Sequence, residues 1–365
     1  MQRALDLAAR GLGRVEPNPM VGAVVVRGGE VVGEGFHARF GGPHAEVVAL
    51  DAAGDAARGA DLYVTLEPCC HHGKTPPCTQ AVLHAGIRRV VAAVTDPFPE
   101  VGGRGLARLR EAGVAVEVGL MEAEARRLNA AFFKRVLTGL PLVIAKWAMT
   151  LDGRLAAGSG RSRWISSEAG RRRVHEVRAV CDAVIVGAGT VAADAPSLTV
   201  RLAPLPEVRP QPARVLLDDA LVTDPARPPA STVADAPVLV YTSPAALERE
   251  AARADALRRA GCEVIESAEA EGGLDLRAVL QDLARRGMSR VLLEGGSRVF
   301  GAFFAARLVD RVMVFVAPKV LGSANAISPV AGPAGLELET ALALEDMTAT
   351  PIGPDVLIEG RASDY

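Results

Sequence analysis

Short apolar runs alternate with stretches of helical periodicity along this chain, which predicts a layered α/β fold. Residues 2–12 carry charge at helical intervals and read as an amphipathic helix. Apolar strands are expected over 21–26 and 30–36, followed by a helix opening at His44 and a strand over 62–66. A helix over 77–85, a strand over 89–94, a helix over 106–112 and a strand over 114–118 continue the alternation. A charged helix over 122–137 runs into Thr138-Gly139-Leu140-Pro141, and Gly followed by Pro is a stop signal. The domain boundary is placed there, giving domains 1–140 and 141–365.

A second alternating pattern follows. Strands are expected over 143–148, 183–186, 215–217, 238–241, 263–265, 290–294, 311–316 and 355–359. Helices are expected over 168–180, 244–260, 275–286 and 297–306. The segments 203–212 and 224–237 are rich in Pro and Ala and read as surface loops rather than linkers.

At 365 residues, 49% apolar and 23% charged, the composition suits two globular domains. A net charge of −2 gives no basic footprint, so nucleic acid is not an expected partner. No apolar run reaches the roughly 18 residues of a membrane span, and none is expected. The amphipathic start is not a leader peptide in character, and five cysteines in so long a chain do not suggest a disulfide scaffold. A cytoplasmic location is expected.

Chemistry concentrates in His44-Ala45-Glu46 and in the run Glu67-Pro68-Cys69-Cys70-His71-His72-Gly73-Lys74-Thr75-Pro76-Pro77-Cys78. A His two before a Glu, then Pro-Cys and a further Cys, is similar to the zinc nucleobase deaminases. One imidazole and two thiolates would hold Zn²⁺ and leave its fourth position to a water whose pKa falls from 15.7 to about 7. Glu46 would move a proton from that water to the departing amine. By spacing alone the second thiolate is open. Cytidine-type deaminases keep their cysteines closer than Cys69 and Cys78, and Cys70 and His72 are rivals. A structural zinc would take four protein ligands, which Cys69, Cys70, Cys78 and a His could supply. His44 and Glu46 point about 200° apart on a regular helix, so they can share a site only off its first turn. His84 and His175 read as helix-surface residues.

In the second half, Gly187-Ala188-Gly189-Thr190-Val191-Ala192 after a strand formally satisfies a dinucleotide fingerprint. The acid that should follow about 20 residues on is not there; Asp218 comes too late. Arg178, beside Arg171, Arg172 and Arg173, reads by pattern as part of a solvated helix face.

The whole set of motifs resembles the bifunctional deaminase/reductases of riboflavin biosynthesis. Besides the Glu67–Cys78 run, the resemblance rests on Lys146 to Gly153, Ser162 to Ile165, Gly187 to Asp194, Leu198 to Arg201, and Glu294-Gly295-Gly296 before a helix. It implies a cytidine-deaminase-like three-layer domain followed by a dihydrofolate-reductase-like domain. His44, Cys69 and Cys78 would hold Zn²⁺, Glu46 would be catalytic, and Asn18 would face the substrate. Ala148, Trp164, Thr190, Asp194 and the turn Gly296, Ser297, Arg298, Val299, Phe300, Gly301 and Ala302 would line an NADPH site. Lys146, Ser162, Arg178, Leu198, Arg201 and Glu294 would hold a phosphoribosyl pyrimidine, two arginines suiting a sugar phosphate. The implied reactions are deamination of 2,5-diamino-6-(5-phosphoribosylamino)pyrimidin-4-one and reduction of its ribosyl group, by a homo-oligomer. Three positions depart from the pattern: Cys70 replaces a Ser, Phe98 an Asn, and Asp219 a small hydroxyl residue near the cofactor's adenosine end.

Overall fold

The structure, a computed structural model, describes residues 1–71, 76–160, 164–204, 209–332, 339 and 341–362. The chain divides into two compact units, Met1–Gly139 and Leu140–Asp364. No helix among the described residues is long and apolar enough to cross a membrane.

In the first unit, α1 (Gln2–Ala9) leads into the hairpin β1 (Gly22–Arg27) and β2 (Glu30–Phe36), and α2 (Ala45–Ala53) follows. Then come β3 (Asp61–Val64), α3 (Cys78–His84), β4 (Arg89–Ala92), α4 (Arg104–Glu111), β5 (Ala115–Val118), α5 (Glu122–Leu128) and α6 (Ala130–Thr138). The sheet order is β2-β1-β3-β4-β5. β1 pairs antiparallel with β2 and β3, while β3, β4 and β5 are parallel. Alternate side chains of these strands face opposite layers. Val25, Leu62, Val64 and Val90 pack with Ala49 and Leu50 of α2, Val82 of α3 and Leu109 of α4. On the other face, Leu5 of α1 and Phe133 of α6 pack with Ala93 and Val94. Gly33 and Gly35 let β2 and α2 touch: a Cβ on Gly35 would lie 2.7 Å from the Ala45 carbonyl oxygen, and one on Gly33 would meet that of Ala49. Close seating of α2 carries its first turn, with His44 and Glu46, to the sheet's edge.

The expected helix over 122–137 is in fact two helices, broken at Asn129 (φ −97°, ψ 20°). Asn129 is buried, and its amide brackets the Met20 backbone, donating to the carbonyl and accepting from the N–H, each at 2.8 Å. This long-range pair outweighs one missing helical bond. α1 also stops at Ala9, short of the expected 12.

The second unit opens with β6 (Leu142–Thr150), α7 (Glu168–Ala179), β7 (Ala183–Gly187), α8 (Ala188–Asp194), β8 (Ala213–Leu217) and β9 (Val238–Thr242). It continues through α9 (Pro244–Arg249), α10 (Ala251–Arg259), β10 (Glu263–Glu266), the small pair β11 (Glu269–Ala270) and β12 (Gly273–Leu274), and α11 (Leu276–Arg285). β13 (Arg290–Leu293), α12 (Ser297–Ala305), β14 (Arg311–Ala317), β15 (Glu345–Ile352) and β16 (Asp355–Arg361) complete it. One sheet has the order β10-β9-β8-β7-β13-β6-β14-β16-β15. It is parallel from β10 to β14, and β16 and β15 close it antiparallel. β7, β8 and β9 are buried at every position, which explains their mostly apolar sequences; the exception in β8 is the buried Arg214, whose guanidinium donates to Thr232 Oγ1 and to the Thr232 and Ala236 carbonyls. Phe300 and Phe303 of α12 and Val279 and Leu283 of α11 cover one face. Ala246, Ala254 and Leu257 of α9 and α10 cover the other. The expected helix over 244–260 is likewise divided, at Glu250. β15 escaped the sequence pattern because nearly every residue of it is exposed.

Candidate active sites

In the first unit His44 is the N-cap of α2, with Glu46 in that helix's first turn. Cys78 opens α3. Cys69 lies in the loop after β3, and its sulfur accepts the Cys78 backbone N–H at 3.3 Å. The His44 Nδ1 lies 3.1 Å from Cys78 Sγ and 3.6 Å from Cys69 Sγ. These three ligand atoms fall within 4.8 Å of one another, and among the described residues no other such group occurs. Separations of this size suit a common ion at the ~2.0–2.3 Å bond lengths of zinc to nitrogen and sulfur. One nitrogen and two sulfurs leave a tetrahedral ion an open position. Cys70 is directed elsewhere, its thiol 4.0 Å from the Glu100 carbonyl oxygen. His72 and Ser162 lie outside the described residues.

The electrostatics match a cation site. The Cys69 thiol is pulled down to about 4, chiefly by the Cys78 thiol pointed at it and then by His44. The Cys78 thiol moves up, through that same contact and burial. Glu46 is only 3% exposed, and burial together with the Cys69 charge pushes its carboxyl up to about 7.

Two supporting residues are not among the candidates named from sequence. Glu67 is buried, and its carboxylate accepts backbone N–H groups of Asp96 (3.1 Å), Gly103 (2.9 Å), Gly105 (2.9 Å) and Leu106 (3.2 Å). It thereby caps α4 and anchors the turn that presents Cys69. His37, also buried, donates from Nδ1 to the Pro43 carbonyl at 2.9 Å, leaving Nε2 to accept from Asn18 at 3.4 Å. Its ring lies 5.4 Å from that of His44, which brings Asn18 to the metal-ligand side of the unit. A sequence signal existed for Glu67, in its place beside Pro68-Cys69; for His37 there was only its position before the His44 motif. His84 is exposed, as its pattern suggested.

In the second unit a buried ionic cluster joins three elements. Arg178 of α7 donates from Nε (3.0 Å) and Nη2 (2.6 Å) to one oxygen of Glu294, and Lys146 of β6 reaches the other at 3.2 Å. Arg178 is 6% exposed, so the solvated-face reading of its pattern is wrong; α7 turns this arginine inward. Burial pushes the Glu294 carboxyl up, but the Arg178 and Lys146 charges overcome it and hold it at about 2. His175 is also buried, contrary to its surface reading. Burial and the neighbouring Arg178 and Arg201 charges lower it to about 4, so it is neutral at pH 7.

Ala148 follows Lys146 on the same face of β6. At the ends of the paired strands β7 and β13, two glycine turns face each other. The Gly187 N–H donates to the Gly295 carbonyl at 2.9 Å. A Cβ on Gly187 would lie 2.6 Å from Val299 Cγ2, and one on Gly296 would lie 3.1 Å from Thr190 Oγ1. Gly295 has φ 92°, and a Cβ there would strike the Phe300 ring. Bare backbone beside the start of α12, at Ser297, is a cradle suited to a pyrophosphate. Asp194 ends α8. Trp164 is exposed, with the Arg171 guanidinium over its ring at 4.7 Å. Leu198 is buried in the left-handed region (φ 57°). Asp218, fully buried, accepts the N–H groups of Val222 and Thr223 and is a loop brace rather than a ribose ligand.

A family model described as the cytidine and deoxycytidylate deaminase zinc-binding region matches residues 1–94, and one described as the RibD C-terminal domain matches residues 141–358. Riboflavin biosynthesis protein RibD of Aquifex aeolicus (strain VF5) is 41% identical over 359 residues, spanning 98% of this chain and 96% of that protein. The protein of the same description from Escherichia coli (strain K12) is 43% identical over 335 residues, spanning 88% of each. Among solved structures, Acinetobacter baumannii RibD, form 1, superposes with TM-score 0.85 at 36% identity, covering 100% of this chain and 98% of that one. A diaminohydroxyphosphoribosylaminopyrimidine deaminase/5-amino-6-(5-phosphoribosylamino)uracil reductase from Thermotoga maritima gives TM-score 0.83 at 36% identity, with 100% and 97% covered.

Proposed function

The chain belongs to the RibD family of riboflavin-biosynthesis deaminase/reductases, and from that premise we propose that its two units divide two reactions at a boundary near residue 140. It is a bifunctional enzyme with a cytidine-deaminase-like domain and a dihydrofolate-reductase-like domain, and its cofactors are zinc and NADPH. It removes the 2-amino group of 2,5-diamino-6-(5-phosphoribosylamino)pyrimidin-4-one as ammonia, then reduces the ribosyl group of the product to ribityl phosphate. The substrate is a small molecule.

The residue roles are our reading. His44, Cys69 and Cys78 hold the zinc, with Cys70 apart. Bound zinc supplies a water acidified to a pKa of about 7, and so a nucleophile at neutral pH. Glu46 accepts that water's proton and returns it to the leaving amine, so the proton count closes on neutral ammonia. Asn18, oriented by His37, contacts the pyrimidine. In the second unit Gly296 to Ala302, with Thr190, Asp194, Ala148 and Trp164, would hold NADPH. NADPH supplies the hydride that goes to C1′ of the opened ribose. The balancing proton comes from Lys146, whose ammonium Glu294 orients. Arg201 holds the sugar phosphate, and Arg178, Leu198, Ser162 and Glu294 complete the substrate side of the site. We further propose a cytoplasmic homo-oligomer. The reduced thiols and phosphorylated substrate suit the first part, and the exposed Met347 and Val356 of the β15–β16 hairpin suit the second.

The observation that carries this reading is the convergence of His44, Cys69 and Cys78 beside the buried Glu46. The test is to supply the diaminopyrimidine ribosyl phosphate with and without NADPH, following ammonia and nicotinamide absorbance. Ammonia should appear without cofactor, and NADPH should be consumed only after deamination. Ammonia with no oxidation of NADPH would reduce the second unit to a non-catalytic domain.

A further inference from the structure

Arg201 lies in a segment, residues 197–201, whose backbone is tied down group by group. Arg178 Nη1 donates to the Thr199 carbonyl at 2.7 Å. The Gln211 amide brackets Val200, accepting its N–H at 2.7 Å and donating to its carbonyl at 3.0 Å. The N–H of Arg201 itself donates to His175 Nδ1 at 3.1 Å. His175 sits on α7 one turn before Arg178, so one helix face carries both ties. The Arg201 side chain leaves this fixed backbone toward solvent, and its Nη1 donates to Ser197 Oγ and to Thr199 Oγ1. Among the described residues, these bonds engage one nitrogen of the guanidinium. The remaining edge, Nε and Nη2, forms the parallel pair of donors that a phosphate takes as a fork.

We propose that His175 is a positioning residue of the reductase site: its Nδ1, accepting the Arg201 N–H, sets the backbone register from which Arg201 presents its fork to the substrate phosphate. This rests on the reading of Arg201 as a phosphate ligand. An acceptor at the Nδ1 position is required. An asparagine can supply one, because its Oδ1 occupies nearly the same place relative to the backbone; a leucine of similar bulk cannot. The imidazole touches neither hydride nor proton transfer, so its loss acts on substrate binding. Losing this part-buried hydrogen bond loosens the Arg201 backbone, and re-ordering it on binding corresponds to about tenfold in affinity.

The experiment feeds the reductase step with the deaminated phosphoribosyl pyrimidine and measures KM and kcat for both substrates. His175→Leu should raise KM for the phosphoribosyl substrate about tenfold, leave kcat within about twofold, and leave KM for NADPH unchanged. His175→Asn should restore most of the loss, and ammonia release should be unaffected in both. Arg201→Ala should raise the same KM, and adding His175→Leu to it should do nothing more, since the residue being positioned is gone. If Arg201→Ala leaves KM unchanged, the phosphate reading of Arg201 fails. If Arg201→Ala raises KM but His175→Leu does not, or lowers kcat alone, the positioning role is overturned while that reading stands. Should His175→Leu not fold, His175→Gln serves. Its acceptor is displaced by one bond and should raise KM by several fold; a wild-type KM would overturn the proposal.

Discussion

Replacing Glu294 by Gln would remove one negative charge from a buried cluster and leave its shape nearly intact. The carboxylate meets Arg178 twice and Lys146 once, and these side chains are 8% and 16% exposed against 10% for Glu294. In the folded chain its carboxyl titrates at about 2 rather than 4.5. At about 1.36 kcal/mol per pH unit, that gap corresponds to ~3 kcal/mol of stability. Removing one partner of a buried ion pair commonly costs about 3–5 kcal/mol, because the surviving cations stay buried without compensation. Glu294→Gln should therefore destabilise the second unit by ~3 kcal/mol at pH 7. Both tryptophans, Trp147 and Trp164, belong to that unit, so urea unfolding followed by tryptophan fluorescence reports it alone. With a slope of roughly 3 kcal/mol/M, the midpoint should fall by about 1 M. The depressed carboxyl makes the stabilisation fully present above pH 4.5 and lost as pH falls through 2, so wild type should converge on the variant over that window. A midpoint within ~0.2 M of wild type at pH 7 would refute the reasoning, as would a difference that persists unchanged at pH 2.

Cys78→Ser should strip zinc, measured by elemental analysis, and abolish ammonia release, whereas Cys70→Ser should leave both unchanged. Glu46→Gln should keep the zinc but slow deamination by roughly 10²–10⁴-fold in kcat, with reduction of supplied uracil intermediate intact. A zinc chelator should separate the activities in the same way, stopping ammonia release while NADPH oxidation on the deaminated substrate continues. Gly295→Ala forces a side chain into left-handed backbone and against Phe300, so it should cost the second unit ~1–3 kcal/mol and raise KM for NADPH. Native-like urea unfolding of that variant would refute the close packing of Phe300 against this turn.

Residue type and short spacing already pointed to the zinc chemistry, because His44-Ala45-Glu46 and the two cysteines are local patterns whose meaning depends on coordination chemistry. The strand β7 was equally legible, since burial on both faces writes itself as an apolar run, while β8 was legible only from Val215, after the buried Arg214. The spacing of Cys69 and Cys78 left Cys70 and His72 as rivals; the folded chain gathers Cys69 and Cys78 at His44 and directs Cys70 elsewhere. Periodicity was silent or misleading where a distant partner decides. Asn129 breaks a helix because Met20, far away in sequence, offers its backbone to be bracketed. Arg178 and His175 sit in an arginine-rich helix that reads as solvated, yet both are buried, one by Glu294 and the other by the amide of Arg201. A hydrophobic pattern records which side of an element faces apolar neighbours. It carries no record of a buried charge, whose position becomes tolerable only when the fold delivers the opposite charge to it.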